Sequence, residues 1–128
     1  MEKEEKAKLL IVEDDESTIN IYTYALKKHF AITAVKSANE FRSVLTNERF
    51  NLFIIDLSLK GSTENGIDLV HNLRAMNSYQ KTPIFVITGH ALKLEEQRSI
   101  DAGATEFLRK PIDLKKLVLD AATYSVAS

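Results

Sequence analysis

Five short blocks of apolar residues recur along the 128-residue chain, and each is followed by polar residues. The blocks lie at residues 9–12, 31–35, 52–55, 84–87 and 105–108. They do not alternate with polar residues, although Glu106 interrupts the fifth block and makes it the weakest. Because strands without such alternation are buried on both faces, the pattern predicts a sheet of five parallel strands.

Segments with helical periodicity separate these blocks. The apolar stripes expected to face inward are Ile19, Tyr22 and Leu26; Phe41, Val44 and Leu45; Leu69, Leu73 and Met76; and Leu114, Leu117, Val118 and Ala121. Residues 92–101 are helix-like but polar, and Gly103 is expected to end that helix in a left-handed conformation. The chain therefore carries five helical segments, one after each strand.

Capping residues mark where several of these helices begin. Asp15 or Ser17 is expected to cap the first helix, and Asp113 the last. Ser37, with Glu40 three residues later, predicts a capping box for the second helix. Strand and helix thus alternate five times, which predicts a flavodoxin-like, doubly wound α/β sandwich with a five-stranded parallel sheet of order 2-1-3-4-5.

Composition and charge narrow the class of protein. Apolar residues make up 45% of the chain and charged residues 27%, as in globular proteins, and the length suits a single domain over residues 1–128 with its core at about 7–124. Seventeen Lys and Arg against eighteen Asp and Glu give a net charge of -1, which argues against direct nucleic-acid binding. The lack of cysteine excludes disulfides and thiolate metal sites. No apolar run is long enough for a membrane span and the charged N-terminus does not resemble a secretory signal, so we expect a cytoplasmic protein.

Reactive side chains follow four of the five predicted strands. The acidic run that begins with Glu13 and Asp14 follows the first strand, Asp56 the third, Thr88 the fourth and Lys110 the fifth. These strand ends share one edge of a parallel sheet, where the first and third strands are neighbours about 5 Å apart. Carboxylates that close repel each other unless a proton or cation intervenes, and Mg²⁺ suits oxygen ligands. Each residue alone is more simply a turn residue, a cap or a solvated lysine, but their shared edge favours a functional site.

Four motifs at these strand ends resemble one known family. They are Leu-Leu-Ile-Val-Glu-Asp-Asp at 9–15, Phe-Ile-Ile-Asp-Leu at 53–57, Val-Ile-Thr-Gly at 86–89 and Gly-Ala-Thr-Glu-Phe-Leu-Arg-Lys-Pro at 103–111. Each is weak alone, but in this order and spacing they resemble the receiver domain of bacterial two-component response regulators. The resemblance covers the chain from Lys8 to about Tyr124.

The resemblance implies a phosphoacceptor with a magnesium cofactor. Asp56 is similar to the phosphorylated aspartate, which takes its phosphoryl group from a histidine kinase or a histidine phosphotransfer protein. Asp14, Asp56 and the backbone carbonyl of Ser58 would bind Mg²⁺ directly, and Glu13 through water. Asp15 falls at a variable position and is expected to be a cap or solvated. Such a domain is a signalling switch that catalyses only its own phosphorylation and dephosphorylation.

The resemblance also implies how the switch operates. Thr88 and Lys110 would contact the phosphoryl group, and the Lys110–Pro111 bond is expected to be cis. Thr88 would move on phosphorylation, making room for Phe107, where the family often has tyrosine. The surface of the last helices and strand would then present a new face to an output protein or domain, and the last helix would allow a homodimer. Plain core packing is the alternative role of Phe107.

The chain departs from the family pattern around the phosphoacceptor. Lys60 stands where the family usually has proline, and the loop before Gly66 is about two residues longer. Ser58 and His90 occupy the positions at which family side chains tune the loss of the phosphoryl group, although a solvated His90 is an equal alternative.

Three other functions are alternatives to a phosphorylatable receiver. A receiver-like module that binds partners without phosphorylation would keep the same fold. A flavin carrier would need a phosphate-binding loop after the first strand, where the acidic residues 13–16 would repel phosphate. An aspartate-nucleophile phosphatase would normally place a second aspartate at the position of Ser58. The segment after the last helix allows either a stand-alone receiver or part of a longer protein.

Overall fold

Five parallel strands form the centre of the molecule. The computed structural model describes residues 6–57, 65–89 and 93–127. The strands are β1 (Ala7–Val12), β2 (Phe30–Val35), β3 (Leu52–Asp56), β4 (Ile84–Thr88) and β5 (Glu106–Arg109). Their order is β2-β1-β3-β4-β5, as predicted. The expected strand at 105–108 is displaced by one residue, to Glu106–Arg109. Thr105 still pairs with the start of β4, because its amide donates to the carbonyl oxygen of Ile84 at 2.7 Å and its hydroxyl accepts from the amide of Ile84 at 3.0 Å.

Helices cover both faces of this sheet. They are α1 (Glu16–Leu26), α2 (Ala38–Leu45), α3 (Gly66–Ala75), α4 (Lys93–Ala102) and α5 (Leu114–Ala127). On one face, the core contains Tyr22 of α1 and Leu117 of α5. On the other face, Phe41 of α2 and Leu69 of α3 pack in a separate core. The doubly wound α/β sandwich is therefore confirmed.

The helix ends follow the predicted capping with one exception. Asp15 caps α1 by accepting from the amide of Thr18 at 2.9 Å. The Ser37 hydroxyl accepts a hydrogen bond from the amide of Glu40, as expected. The Glu40 carboxylate, however, accepts a hydrogen bond from the amide of Lys36 and not from that of Ser37. The predicted capping box is thus only half formed, because the glutamate side chain reaches one residue further back along the chain.

Two apolar residues of the predicted stripes are exposed. Met76 is 36% exposed because α3 ends at Ala75 and the backbone of Met76 is extended. Leu114 is also 36% exposed, since it begins α5 and Ile112 of the preceding loop packs against the core. The positive φ of Gly103, 115°, confirms a glycine stop after α4.

Candidate functional site

Two buried carboxylates lie at the carboxyl ends of the neighbouring strands β1 and β3. Glu13 directly follows β1 and is 2% exposed, whereas Asp56 is the last residue of β3 and is 5% exposed. The register that pairs Val12 with Ile55 brings these two ends side by side. The fold therefore removes both acids from water, and only a nearby cation or proton offsets the cost of burying them together.

Lys110 supplies the cation. Its Nζ lies 3.0 Å from Oδ2 of Asp56 and 3.4 Å from Oε1 of Glu13. The amide of Lys110 donates to the carbonyl oxygen of Thr88 at 2.8 Å, which fixes the lysine backbone beside the end of β4. The Lys110–Pro111 bond is cis, as expected. We call Glu13, Asp56 and Lys110 the Lys110 cluster.

The protonation of this cluster reflects burial and mutual repulsion. Burial, followed by the hydrogen bond with Asp56 and the charge of Asp56, raises the pKa of Glu13 to about 7. Burial opposes the charge on Lys110, but its hydrogen bond to Asp56 and the charges of both carboxylates outweigh that effect and raise its pKa. Near neutral pH the cluster therefore holds a proton that another cation would replace.

Tyr22 is a neighbour of this cluster that the sequence did not reveal as part of the site. It is 4% exposed on the inner side of α1. Burial, with additional repulsion from the charges of Glu13 and Asp56, raises the pKa of its phenol to about 12 against the opposing effect of Lys110. The helical periodicity predicts that Tyr22 is a core residue. Its polar hydroxyl is the only feature in the sequence that indicates a contact with the site as well.

The remaining predicted residues occupy different environments. Thr88 is fully buried at the end of β4, next to the strand that carries Asp56. Asp14 is half-buried, and the side chain of Asp15 caps the amino end of α1. Phe107 is half-buried against the core, with the Arg109 guanidinium 5.9 Å from its ring centre. Ser58, Lys60 and His90 lie outside the described residues.

Gly66 allows the first turn of α3 to pack closely against Asp56, the candidate phosphoacceptor. Its amide donates to the carbonyl oxygen of Leu57 at 3.2 Å. A Cβ at position 66 would lie 2.6 Å from the carbonyl oxygen of Asp56, well inside van der Waals contact. Only glycine fits here, so this residue sets how closely the helix approaches the end of β3.

The donor set fits a hard divalent cation better than a soft one. Oxygen is the only side-chain donor type that Glu13, Asp14 and Asp56 offer, and the first and last of these already repel each other. Within residues 6–57, 65–89 and 93–127, no three His, Cys, Asp or Glu side chains converge to hold a metal. An ion at this place would therefore complete its shell with backbone carbonyls and water, as Mg²⁺ commonly does.

Comparison with known proteins assigns the chain to one family. The response regulator receiver domain matches residues 9–122, so the chain belongs to that family. Its members are signalling domains of two-component systems. The match includes Glu13, Asp56, Thr88 and Lys110, and the receiver fold confirms the resemblance stated from the sequence motifs.

Curated relatives are longer than this chain. Protein PetR of Rhodobacter capsulatus is 33% identical over 112 residues, which cover 87% of this chain and 45% of PetR. Regulatory protein VirG of Agrobacterium tumefaciens is 29% identical over 112 residues, or 86% of this chain and 40% of VirG. The chain thus spans less than half the length of these relatives.

Solved structures share the fold at low sequence identity. A CheY-like receiver domain protein from Methanospirillum hungatei superposes with a TM-score of 0.86 at 22% identity, with 95% of each chain covered. The receiver domain of NtrX from Brucella abortus gives 0.85 at 21% identity, covering 94% of this chain and all of that one. No helix in the described part of the chain is both long and apolar enough to cross a bilayer.

Proposed function

We propose that this chain is a phosphoacceptor receiver, in which Asp56 takes a phosphoryl group from a phosphohistidine. The observation that carries the proposal is the Lys110 cluster, in which a buried Asp56 carboxylate lies 3.0 Å from an ammonium group. A cation that close, beside a second buried acid, is costly as a purely structural feature. It is useful where negative charge must be added to a carboxylate.

The transfer follows from the charges of the reactants. The Asp56 oxygen attacks phosphorus, the phosphorus–nitrogen bond of the phosphohistidine breaks, and the imidazole leaves with a proton from solvent. Both the carboxylate and the phosphoryl group are negative, so their approach needs positive charge. Lys110 supplies part of it, and the Thr88 hydroxyl donates to a phosphoryl oxygen. Glu13, Asp14, Asp56 and the Ser58 carbonyl would hold Mg²⁺, which neutralises more of the charge when bound.

The product is an acyl phosphate on Asp56, which water later hydrolyses. The chain would therefore catalyse only its own phosphorylation and dephosphorylation and would turn over no separate substrate. Its partners are a histidine kinase or a histidine phosphotransfer protein as donor, and an output protein or domain as receiver of the signal. We propose that residues 1–128 are one such domain, which the family match over 9–122 supports.

Burial supports Thr88 and Phe107 as the moving parts. Phosphorylation adds about −1.5 to −2 charges beside Asp56. Thr88 is fully buried one strand away, so a shift of its hydroxyl toward those charges leaves space in the packed interior. Phe107 is half-buried on the next strand and would fill that space. The surface of α4, β5 and α5 would change with it.

Intact-mass spectrometry tests the proposal. Incubation with phosphoramidate and Mg²⁺ should add the mass of one phosphoryl group, and Asp56→Asn should prevent the addition. Asp15→Asn is the matched control, since it removes an acid from the same edge while asparagine still caps α1. If the mass does not change with any donor or with any metal, the chain is a receiver-like interaction module and the proposal is wrong.

A further inference from the structure

A second candidate site lies at the opposite edge of the sheet from the Lys110 cluster. A cavity of about 490 Å³ opens where the chain enters β3 and β4. Residues just before β3, including Arg49 and Asn51, form one wall. The turn between α3 and β4, including Ser78 and Lys81, forms the other. We call this the amino-edge cavity, and its size is within the usual range for small-molecule sites.

Positive charge without a carboxylate partner is the main feature of this cavity. Arg49 and Lys81 both line it, and none of its described lining residues is acidic. Glu48, the acid next to Arg49 in sequence, pairs instead with Lys8 at 3.3 Å. In the described residues, neither lining cation forms an ion pair, although the whole chain has one more acid than base. The local charge therefore favours an anionic ligand.

A third cation lies behind the wall of the cavity. Arg74 of α3 donates from Nη1 to the carbonyl oxygens of Tyr79 and Thr82, each at 2.7 Å, and from Nε to that of Gly103 at 2.9 Å. Its partners are neutral carbonyl and hydroxyl oxygens, and burial lowers its pKa. These bonds hold the turn that carries Lys81 in place, and the guanidinium charge adds to the field at the cavity.

The cavity walls are fixed before any ligand arrives. The amide of Phe50 donates to the phenol oxygen of Tyr79 at 3.1 Å. Asn51 is held to β1 by paired hydrogen bonds with the backbone of Lys8, at 2.7 and 2.8 Å. The Arg49 guanidinium donates to the carbonyl oxygen of Ser78 at 3.4 Å and lies 5.8 Å from the ring centre of Tyr79. A preformed site of this kind loses little conformational freedom on binding.

We infer that the amino-edge cavity binds a small phosphate monoester with a polar, sugar-like body. An arginine fork and a lysine ammonium together match phosphate geometry and charge. Apart from Phe50, the neutral lining consists of the amides of Asn51, Asn77 and Gln80 and the hydroxyls of Ser78 and Thr82. These groups can exchange hydrogen bonds with sugar hydroxyls. The site is independent of Asp56 and of phosphorylation.

Amide chemical shifts in a titration with ribose 5-phosphate test this inference. The ¹⁵N-labelled protein is kept at constant ionic strength with a chelator in place of magnesium. We expect saturable shifts confined to residues 49–51 and 77–82, with ribose producing none and inorganic phosphate binding more weakly. Arg49→Gln and Lys81→Gln should each weaken binding at least tenfold, since each removes a charge-assisted hydrogen bond.

Arg98→Gln is the matched control, because it removes the same charge from an exposed position on α4. It should leave the affinity unchanged, and dispersed spectra of all variants show that they fold. Linear shifts that never saturate would mean screening alone and would overturn the site. Shifts centred on Thr88 and Lys110 would also overturn the site. The same conclusion would follow if Arg49→Gln bound the ligand as tightly as the unmodified chain does. If inorganic phosphate binds as tightly as ribose 5-phosphate, the site recognises the phosphate group alone and the inferred recognition of a sugar-like body is wrong.

Discussion

The two edges of one sheet handle buried charge in opposite ways. At the carboxyl edge, two acids with 2% and 5% exposure lie side by side, where Lys110 pairs with both and burial raises the pKa of Glu13 to about 7. At the amino edge, the hydrogen-bond partners of Arg74 among the described residues are neutral carbonyl and hydroxyl oxygens. Carbonyl oxygens do not change their protonation near neutral pH, so the hydrogen bonds of Arg74 stay the same. The carboxylates that pair with Lys110 can gain or lose a proton in that range. The hydrogen bonds of Arg74 thus serve stability, whereas the Lys110 cluster can respond to a proton or a cation.

Replacing Arg74 should give the largest loss of stability. Arg74→Met keeps the aliphatic stem and leaves three carbonyl oxygens without their donor. Because each buried acceptor without a partner costs about 1–3 kcal/mol, we expect the free energy of unfolding to fall by about 3 kcal/mol. Urea denaturation measures it. Arg98→Met is the control, an exposed arginine whose replacement should change stability by less than about 0.5 kcal/mol. Equal losses in the two variants would contradict a structural role for Arg74.

Replacing Lys110 should affect function more than stability. Lys110→Met removes the cation that faces the developing negative charge at Asp56. The rate of phosphorylation by phosphoramidate should fall about 100-fold, the typical effect of removing one preorganised donor. Lys116→Met removes an exposed lysine that pairs with Asp120 on α5 and should leave the rate unchanged. A Lys110→Met rate within twofold of the unmodified chain would mean that the ion pair plays no part in the transfer.

The pH dependence of stability should separate the two edges further. With no metal, the folded chain binds an extra proton at Glu13 between the ordinary pKa of 4.5 and the folded value of about 7. The contribution of Glu13 to stability is therefore largest below about pH 4.5 and is lost as the pH rises through 7. Thermal or urea unfolding in chelator should show a difference of about 3 kcal/mol between the two limits. Glu13→Gln should remove this slope, and Glu48→Gln, a surface control, should retain it.

Sequence reasoning located the carboxyl edge because that edge follows from order along the chain. Each strand is an apolar block, each block ends in a polar residue, and parallel strands bring those residues together. Asp56 and Lys110 could therefore be brought to one edge before any coordinates were known. The deep burial of Glu13 could not be predicted from the sequence, because it depends on the side-chain conformation at the end of β1.

The amino edge left no comparable signal. Arg49 and Lys81 sit in connecting segments without periodicity, and their proximity depends on the turn that Arg74 holds. The helical periodicity predicts that Met76 and Leu114 face inward, whereas both are 36% exposed, for a related reason. Periodicity extends through a helix end, whereas the end itself is set by local backbone contacts.

Tyr22 offers the smallest and most selective change at the carboxyl edge. Tyr22→Phe keeps the buried ring and removes only the hydroxyl, so the free energy of unfolding should change by less than about 1 kcal/mol. Because a phenol whose pKa is raised to about 12 carries no charge while Glu13 titrates, its loss should leave the titration of Glu13, measured by carboxyl ¹³C NMR, unchanged. Tyr79→Phe is the matched control at the amino edge, where the hydroxyl accepts from the amide of Phe50. Tyr79→Phe should cost about 1 kcal/mol and also leave the Glu13 titration unchanged. A Glu13 titration that shifts in Tyr22→Phe and not in Tyr79→Phe would show that the Tyr22 hydroxyl contributes to the protonation of the cluster.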